Sequence, residues 1–100
     1  MALVLTLHKN EDFYVGDQQI VVTEVYDDGT FVLQPTGGGE YDVTHHPEVE
    51  IMPNVYVIAS DAPEHYGRAR IVISAPREVV VILGDRYRKP TGKAAIALGG

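Results

Sequence analysis

The stretch Phe13-Tyr14-Val15-Gly16-Asp17-Gln18-Gln19-Ile20-Val21-Val22-Thr23-Glu24-Val25-Tyr26-Asp27-Asp28-Gly29-Thr30-Phe31-Val32-Leu33-Gln34 decides the fold class. β-Branched and aromatic residues recur at every second position, broken by turn signals at Gly16-Asp17 and Asp27-Asp28-Gly29. That alternation suits a pleated strand with one buried face rather than the repeat of about 3.6 residues that marks a helix. We read a short strand at Phe13-Tyr14-Val15, a long one over residues 19–26 and a third over 30–34. The last two form a hairpin in which Gly29 supplies positive φ.

The same reading extends outward. Leu3-Val4-Leu5-Thr6-Leu7 is a first strand, and Arg70-Ile71-Val72-Ile73-Ser74 and residues 78–83 are two more, flanking Ala75-Pro76-Arg77. Residues 36–67, beginning with Thr36-Gly37-Gly38-Gly39, read as a loop-rich insertion with short strands at Val49-Glu50-Ile51 and Val55-Tyr56-Val57-Ile58-Ala59. Residues 55–64 echo residues 70–78, which leaves strand registry there ambiguous. Pro90, Gly92 and Gly99-Gly100 discourage a long terminal helix, so residues 84–100 read as an extended arm.

At 100 residues with 45% hydrophobic and 22% charged side chains, the chain makes one small all-β domain. A domain of this size buries only about 60 to 65% of its unfolded surface and is marginal alone, so a second chain is expected to complete its core. The absence of cysteine excludes disulfides, thiolate nucleophiles and cysteine-held metals. No membrane span or signal peptide is expected, and the location expected is the cytoplasm, or a virion if phage-encoded. The net charge of -6 is unevenly spread: residues 1–67 carry twelve carboxylates against Lys9 alone, and residues 68–100 carry seven cations against Glu78 and Asp85. A polyanion would be repelled by most of such a surface and attracted only by its C-terminal third.

Catalytic constellations are weak. His45 and His46 are adjacent and on a strand would point to opposite faces, while His8 is remote, so a metal site would need His65 and Glu48 to converge through the tertiary fold. Gly37-Gly38-Gly39 lacks the Gly-Lys-Ser/Thr of a phosphate loop, and Thr91-Gly92-Lys93-Ala94 lacks its hydroxyl residue. Ser60 and Ser74 sit in turns without a nucleophile elbow. Asp27-Asp28 and Glu11-Asp12 read as acids serving local turn hydrogen bonds. We expect no enzyme activity, cofactor or metal. The six tyrosines, Tyr14, Tyr26, Tyr41, Tyr56, Tyr66 and Tyr87, read first as sheet packing and second as contact residues.

Leu3-Val4-Leu5-Thr6, Val15-Gly16-Asp17, the strand from Ile20 to Val25 and the strand running into Ala75-Pro76-Arg77-Glu78-Val79 follow one another in a recognisable order. Over residues 1–34 and 68–87 the chain resembles the carbon storage regulator family of RNA-binding translational regulators. The resemblance implies a small β-barrel or sandwich that dimerises by exchanging its first and last strands. It assigns Leu3, Leu5, Leu7, Val79, Val81 and Leu83 to an oligomer interface. The organisation it implies is a single domain over residues 1–100, with an insertion at 35–67 and a C-terminal arm at 88–100.

The departures bear on function. Where the family places RNA-contacting arginine and His-Arg residues, this chain has Leu7 and Ile82-Leu83, while Leu5, Thr6, Ala75, Pro76 and Arg77 match. Apolar residues at those places favour a dry contact over bidentate base contacts. The expectation is therefore a non-enzymatic structural or assembly protein, such as an auxiliary or decoration protein of a phage capsid. It would form a homodimer or higher homo-oligomer and dock on another protein through Arg86, Tyr87, Arg88, Lys89, Ile96 and Leu98. The alternative is a divergent RNA-binding regulator using Leu5, Thr6, Ala75, Pro76 and Arg77, with Arg86, Arg88 and Lys89 on phosphates.

Overall fold

A computed structural model describes residues 2–60 and 67–88. The strands are β1 (Ala2–His8), β2 (Asp12–Val15), β3 (Gln18–Val25), β4 (Phe31–Pro35), β5 (Tyr41–Val43), β6 (Val49–Met52), β7 (Val55–Ala59), β8 (Arg68–Ser74) and β9 (Val81–Leu83), followed by the short helix α1 (Gly84–Arg88). They form two open antiparallel sheets, one ordered β1-β8-β7-β6 and the other β5-β4-β3-β2-β9. Among the described residues the architecture is an all-β sandwich with no closed barrel.

The alternation seen in the sequence sets which side chains meet between the sheets. Phe13, Val15, Ile20, Val22, Phe31 and Leu33 face inward from the five-stranded sheet, against Val55, Val57, Ile71 and Ile73 from the other, and all are essentially removed from solvent. The β2–β3 loop is Gly16-Asp17, with Val15 paired to Gln18. Gly16 takes φ 60° while Asp17 stays at negative φ, the pattern of a type II′ turn whose twist matches its strands. At the β3–β4 turn Tyr26 N–H donates to Thr30 C=O at 2.9 Å, Gly29 takes φ 89°, and Asp28 Oδ1 accepts from Thr30 N–H and Oγ1 at 3.0 and 2.6 Å. The Thr30 hydrogen bonds hold the Asp28 carboxyl below the usual carboxylate range, with the nearby His45 adding to the effect.

Several expectations are corrected. The segment expected to be loop-rich supplies three strands: β5 extends one sheet, β6 and β7 extend the other, and Val43, Ile51, Val55, Val57 and Ala59 belong to the core. The echoing segments are adjacent strands, with Val57 opposite Ile73 and Ile58 opposite Val72. The strand expected over 78–83 shrinks to Val81–Leu83, because Val79 N–H closes a turn onto Pro76 C=O at 3.0 Å and consumes the residues between. Within the chain β1 pairs with β8 and β9 pairs with β2. The arm begins as a helical turn, Gly84–Arg88, rather than extended; its remainder lies outside the described residues.

Candidate protein-docking surface

Three surfaces collect the residues of interest. On the outer face of the four-stranded sheet the register sets Val4 opposite Val72 and Val72 opposite Ile58. The result is an apolar row across β1, β8 and β7, in which Val4 is 52% exposed and its two neighbours are half-buried. Tyr56 stands beside the row, opposite Glu50 and Ser74, and the Glu50 carboxylate raises its hydroxyl above the usual value. A row of this kind on a solvent-facing sheet is a feature that monomeric proteins usually keep small.

The second surface is the outer face of the other sheet, where α1 lies on β2. Tyr87 stacks on Tyr14 with ring centroids 3.7 Å apart and planes 8° from parallel. Its hydroxyl donates to Asp17 Oδ1 at 3.4 Å, and the Asp17 charge raises its pKa above the ordinary tyrosine value by disfavouring the phenolate. Arg88 Nη1 and Nη2 donate to Asp12 Oδ2 and Oδ1 at 2.6 and 3.0 Å, a bidentate pair, and Gln19 Nε2 adds a bond to Oδ2 at 2.6 Å. These contacts, led by Arg88, hold the Asp12 carboxyl below its usual range against the opposing effect of burial. Asp12 is the buried charged residue of the described chain and Gly84 packs directly on its carboxylate.

The third is a cleft of about 560 Å³ between the Gly16-Asp17 turn, the β6–β7 turn and the loop before β9, walled mainly by Val15, Met52, Val55, Val79 and Val80. Val79 thus sits at a groove, half-buried rather than free.

The residues expected at an oligomer interface divide by burial. Leu7 is core, 5% exposed, because its side chain falls on the inner face of β1 over the second sheet. Leu5, Val79, Val81 and Leu83 are partly buried against the same core, and Leu3 is half-buried on the inner face of the edge strand β1. Of the arm residues, Tyr87 and Arg88 are engaged by Tyr14, Asp17, Asp12 and Asp85 of their own chain. Arg86 is exposed on α1, and Lys89, Ile96 and Leu98 lie outside the described residues.

The residues of the RNA alternative do not converge. Thr6 is opposite Arg70, Ala2 is opposite Ser74, and Ala75, Pro76 and Arg77 follow beyond that end of the ladder. Four residues of strand separate the two groups, roughly 13 Å. Leu5 faces inward and Ala75 is buried, which leaves Thr6 and Arg77 as the exposed members.

His8 and His45 are engaged locally. His8 Nδ1 lies 3.2 Å from Glu11 Oε1, and His45 sets Nε2 2.8 Å from Asp28 O and Nδ1 3.2 Å from Ala59 O. Only a doubly protonated ring donates to both carbonyls. Among the described residues no three His, Asp or Glu side chains gather as a metal site, and His65 lies outside them. Also among the described residues, no helix is long and apolar enough to cross a membrane.

The Asp12–Arg88 clamp escaped the sequence reading, which took Asp12 for a local turn acid. Glu11 does play that part, accepting from His8 N–H at 2.6 Å. No family model, curated protein or solved structure matches the chain.

Proposed function

We propose that this chain is a non-enzymatic, self-associating β-sandwich whose role is structural assembly, of the sort an auxiliary or decoration protein plays on a phage capsid. The observation that carries the reading is the apolar row Val4, Val72 and Ile58 on a solvent-facing sheet. Burying such a row against another protein surface removes apolar area from water, at roughly 25 cal/mol per Å². The size of the domain supports the same reading, because a small sandwich gains proportionately from shared burial.

The RNA-binding alternative is weaker on the same geometry. Arg88 is committed to Asp12 and Asp85, and Thr6 and Arg77 stand at opposite ends of the β1–β8 ladder. Light scattering of the purified protein over a wide concentration range tests the proposal, together with titration of a GGA-loop RNA hairpin at two salt concentrations. A mass above that of one chain with no RNA binding is the expected result. A monomer throughout, or RNA binding that weakens by about one log-log unit per phosphate contact as salt rises, overturns it.

A further inference from the structure

Among the described residues the two sheets have four edges, and these are unequal. β5 and β9 have 3 residues each, and β6 has 4 and is bounded by Pro47 and Pro53. β1 has 7 residues, and from Ala2 to Leu7 it contains neither a charged residue nor a proline. Short strands, charges and prolines are the usual protections of an edge, and β1 lacks all of them over this span.

Which of its backbone groups are open follows from the pairing. Ser60 N–H donates to Arg70 C=O at 3.0 Å, so Arg70 turns its backbone groups towards β7 and the pair Thr6–Arg70 is not hydrogen-bonded. His8 agrees: its N–H donates to the Glu11 carboxylate at 2.6 Å and its C=O accepts from Glu11 N–H at 3.0 Å, both away from β8. Alternation then points the N–H and C=O of Leu3, Leu5 and Leu7 at β8, and those of Ala2, Val4 and Thr6 off the free edge. Glu11 closes the far end of the edge at His8, and among the described residues no other backbone group pairs with the rest of it.

We propose that β1 pairs antiparallel with β1 of a second copy about a two-fold axis at Val4, joining two four-stranded sheets into one. This rests on the self-association reading above and specifies its seam. In this register Val4 meets Val4 of the second copy and Ala2 meets Thr6, so every open group on both edges finds a partner. Each half-buried Leu3 packs against Leu5 of the other copy in the close, non-hydrogen-bonded pairs. The outer rows fuse into Ile58-Val72-Val4 followed by the same three reversed, and no like charges meet across the seam. This self-complementarity singles out a second copy as the occupant. A seam of one strand pair is a small interface, at the weak and concentration-dependent end of the range.

The absence of native cysteine makes a direct test available. In the proposed register the Val4 Cα atoms lie about 5.5 Å apart, within disulfide range. Mild oxidation of the V4C variant is expected to give a covalent dimer at least about tenfold faster than V80C, a variant at the more exposed Val80. The V4P variant removes an N–H that faces the open edge rather than β8, and V4K places like charges on the axis with the backbone unchanged. Both are expected to keep the circular dichroism of the parent and to sediment as monomers. An oligomeric parent whose V4P and V4K variants remain oligomeric, with V4C no faster than V80C, overturns the seam and leaves self-association standing. A parent that is monomeric at every concentration overturns both.

Discussion

Replacing Gly84 by alanine places two effects of opposite sign against each other. In an isolated helix the change is favourable by up to about 1 kcal/mol, because alanine loses less backbone entropy. Here a Cβ on residue 84 would fall inside contact distance of Oδ1, Cγ and Oδ2 of Asp12, the farthest of them 2.7 Å away. The carboxylate has little freedom to retreat, since Arg88 holds both oxygens at 2.6 and 3.0 Å and Gln19 holds one at 2.6 Å. With three atoms obstructed at once, overpacking costs about 2 to 3 kcal/mol, the upper part of its usual range, so after the helix gain the net expectation for G84A is a loss of about 1 to 2 kcal/mol. In thermal unfolding that is a fall in Tm of roughly 5 to 15 °C for a domain of this size. In a D12A background the obstruction is gone, and G84A becomes neutral or stabilising. The double-mutant cycle should therefore show a coupling of about 1 to 3 kcal/mol. A G84A protein as stable as the parent, or additivity with D12A, would refute the claim that Asp12 and Arg88 fix α1 on the sheet.

Other outcomes follow from the same structure. Phe13 is fully buried, and F13A should lower unfolding free energy by about 3 to 5 kcal/mol in urea titration; a loss under about 1 would place Phe13 outside the true core. Asp12 titrates below its unfolded value, so its stabilising contribution is complete above the unfolded pKa of about 4 and is lost as pH falls through the lower folded value. The near-ultraviolet signal of the Tyr14–Tyr87 stack should accordingly fade in acid in the parent, whereas D12N should show little further pH dependence in that range; identical acid profiles would contradict this assignment. Gly29 sits at φ 89° with its would-be Cβ 3.4 Å from the His45 ring, so G29A should cost about 1 to 2 kcal/mol by thermal unfolding, and an unchanged Tm would show that the turn relaxes.

Much of the fold was legible because it rests on alternation and on glycine. The segment from Phe13 to Gln34 carries strong period-two patterning, and β2, β3 and β4 lie within about one residue of the reading. β6 and β7 were also visible, through Val49-Glu50-Ile51 and Val55 to Ala59. β5 was not, since Tyr41-Asp42-Val43 is too short to show a period and follows three glycines. The run Glu78-Val79-Val80-Val81-Ile82-Leu83 has the composition of one strand, yet a turn anchored on Pro76 takes its first half. Composition measures what suits a strand, and a backbone hydrogen bond decides where one starts.

The surfaces were less legible for a related reason. Leu3, Leu5 and Leu7 alternate along β1 and so share one face, but that spacing does not say how far the second sheet covers each of them. Leu7 is covered, and Leu3, at the open end of the edge strand, is not fully so. α1 presents a harder case: Gly84-Asp85-Arg86-Tyr87-Arg88 has no amphipathic period, and its docking depends on Asp12, 76 positions away in sequence. Contacts across that distance are created by the sheet order, which brings β9 beside β2.

Sedimentation equilibrium of the parent protein beside V4P, over about a hundredfold range of concentration, tests the central claim most directly. The account predicts a reversible rise above the mass of one chain for the parent and none for the folded V4P variant. A parent that stays at the mass of one chain throughout would contradict it.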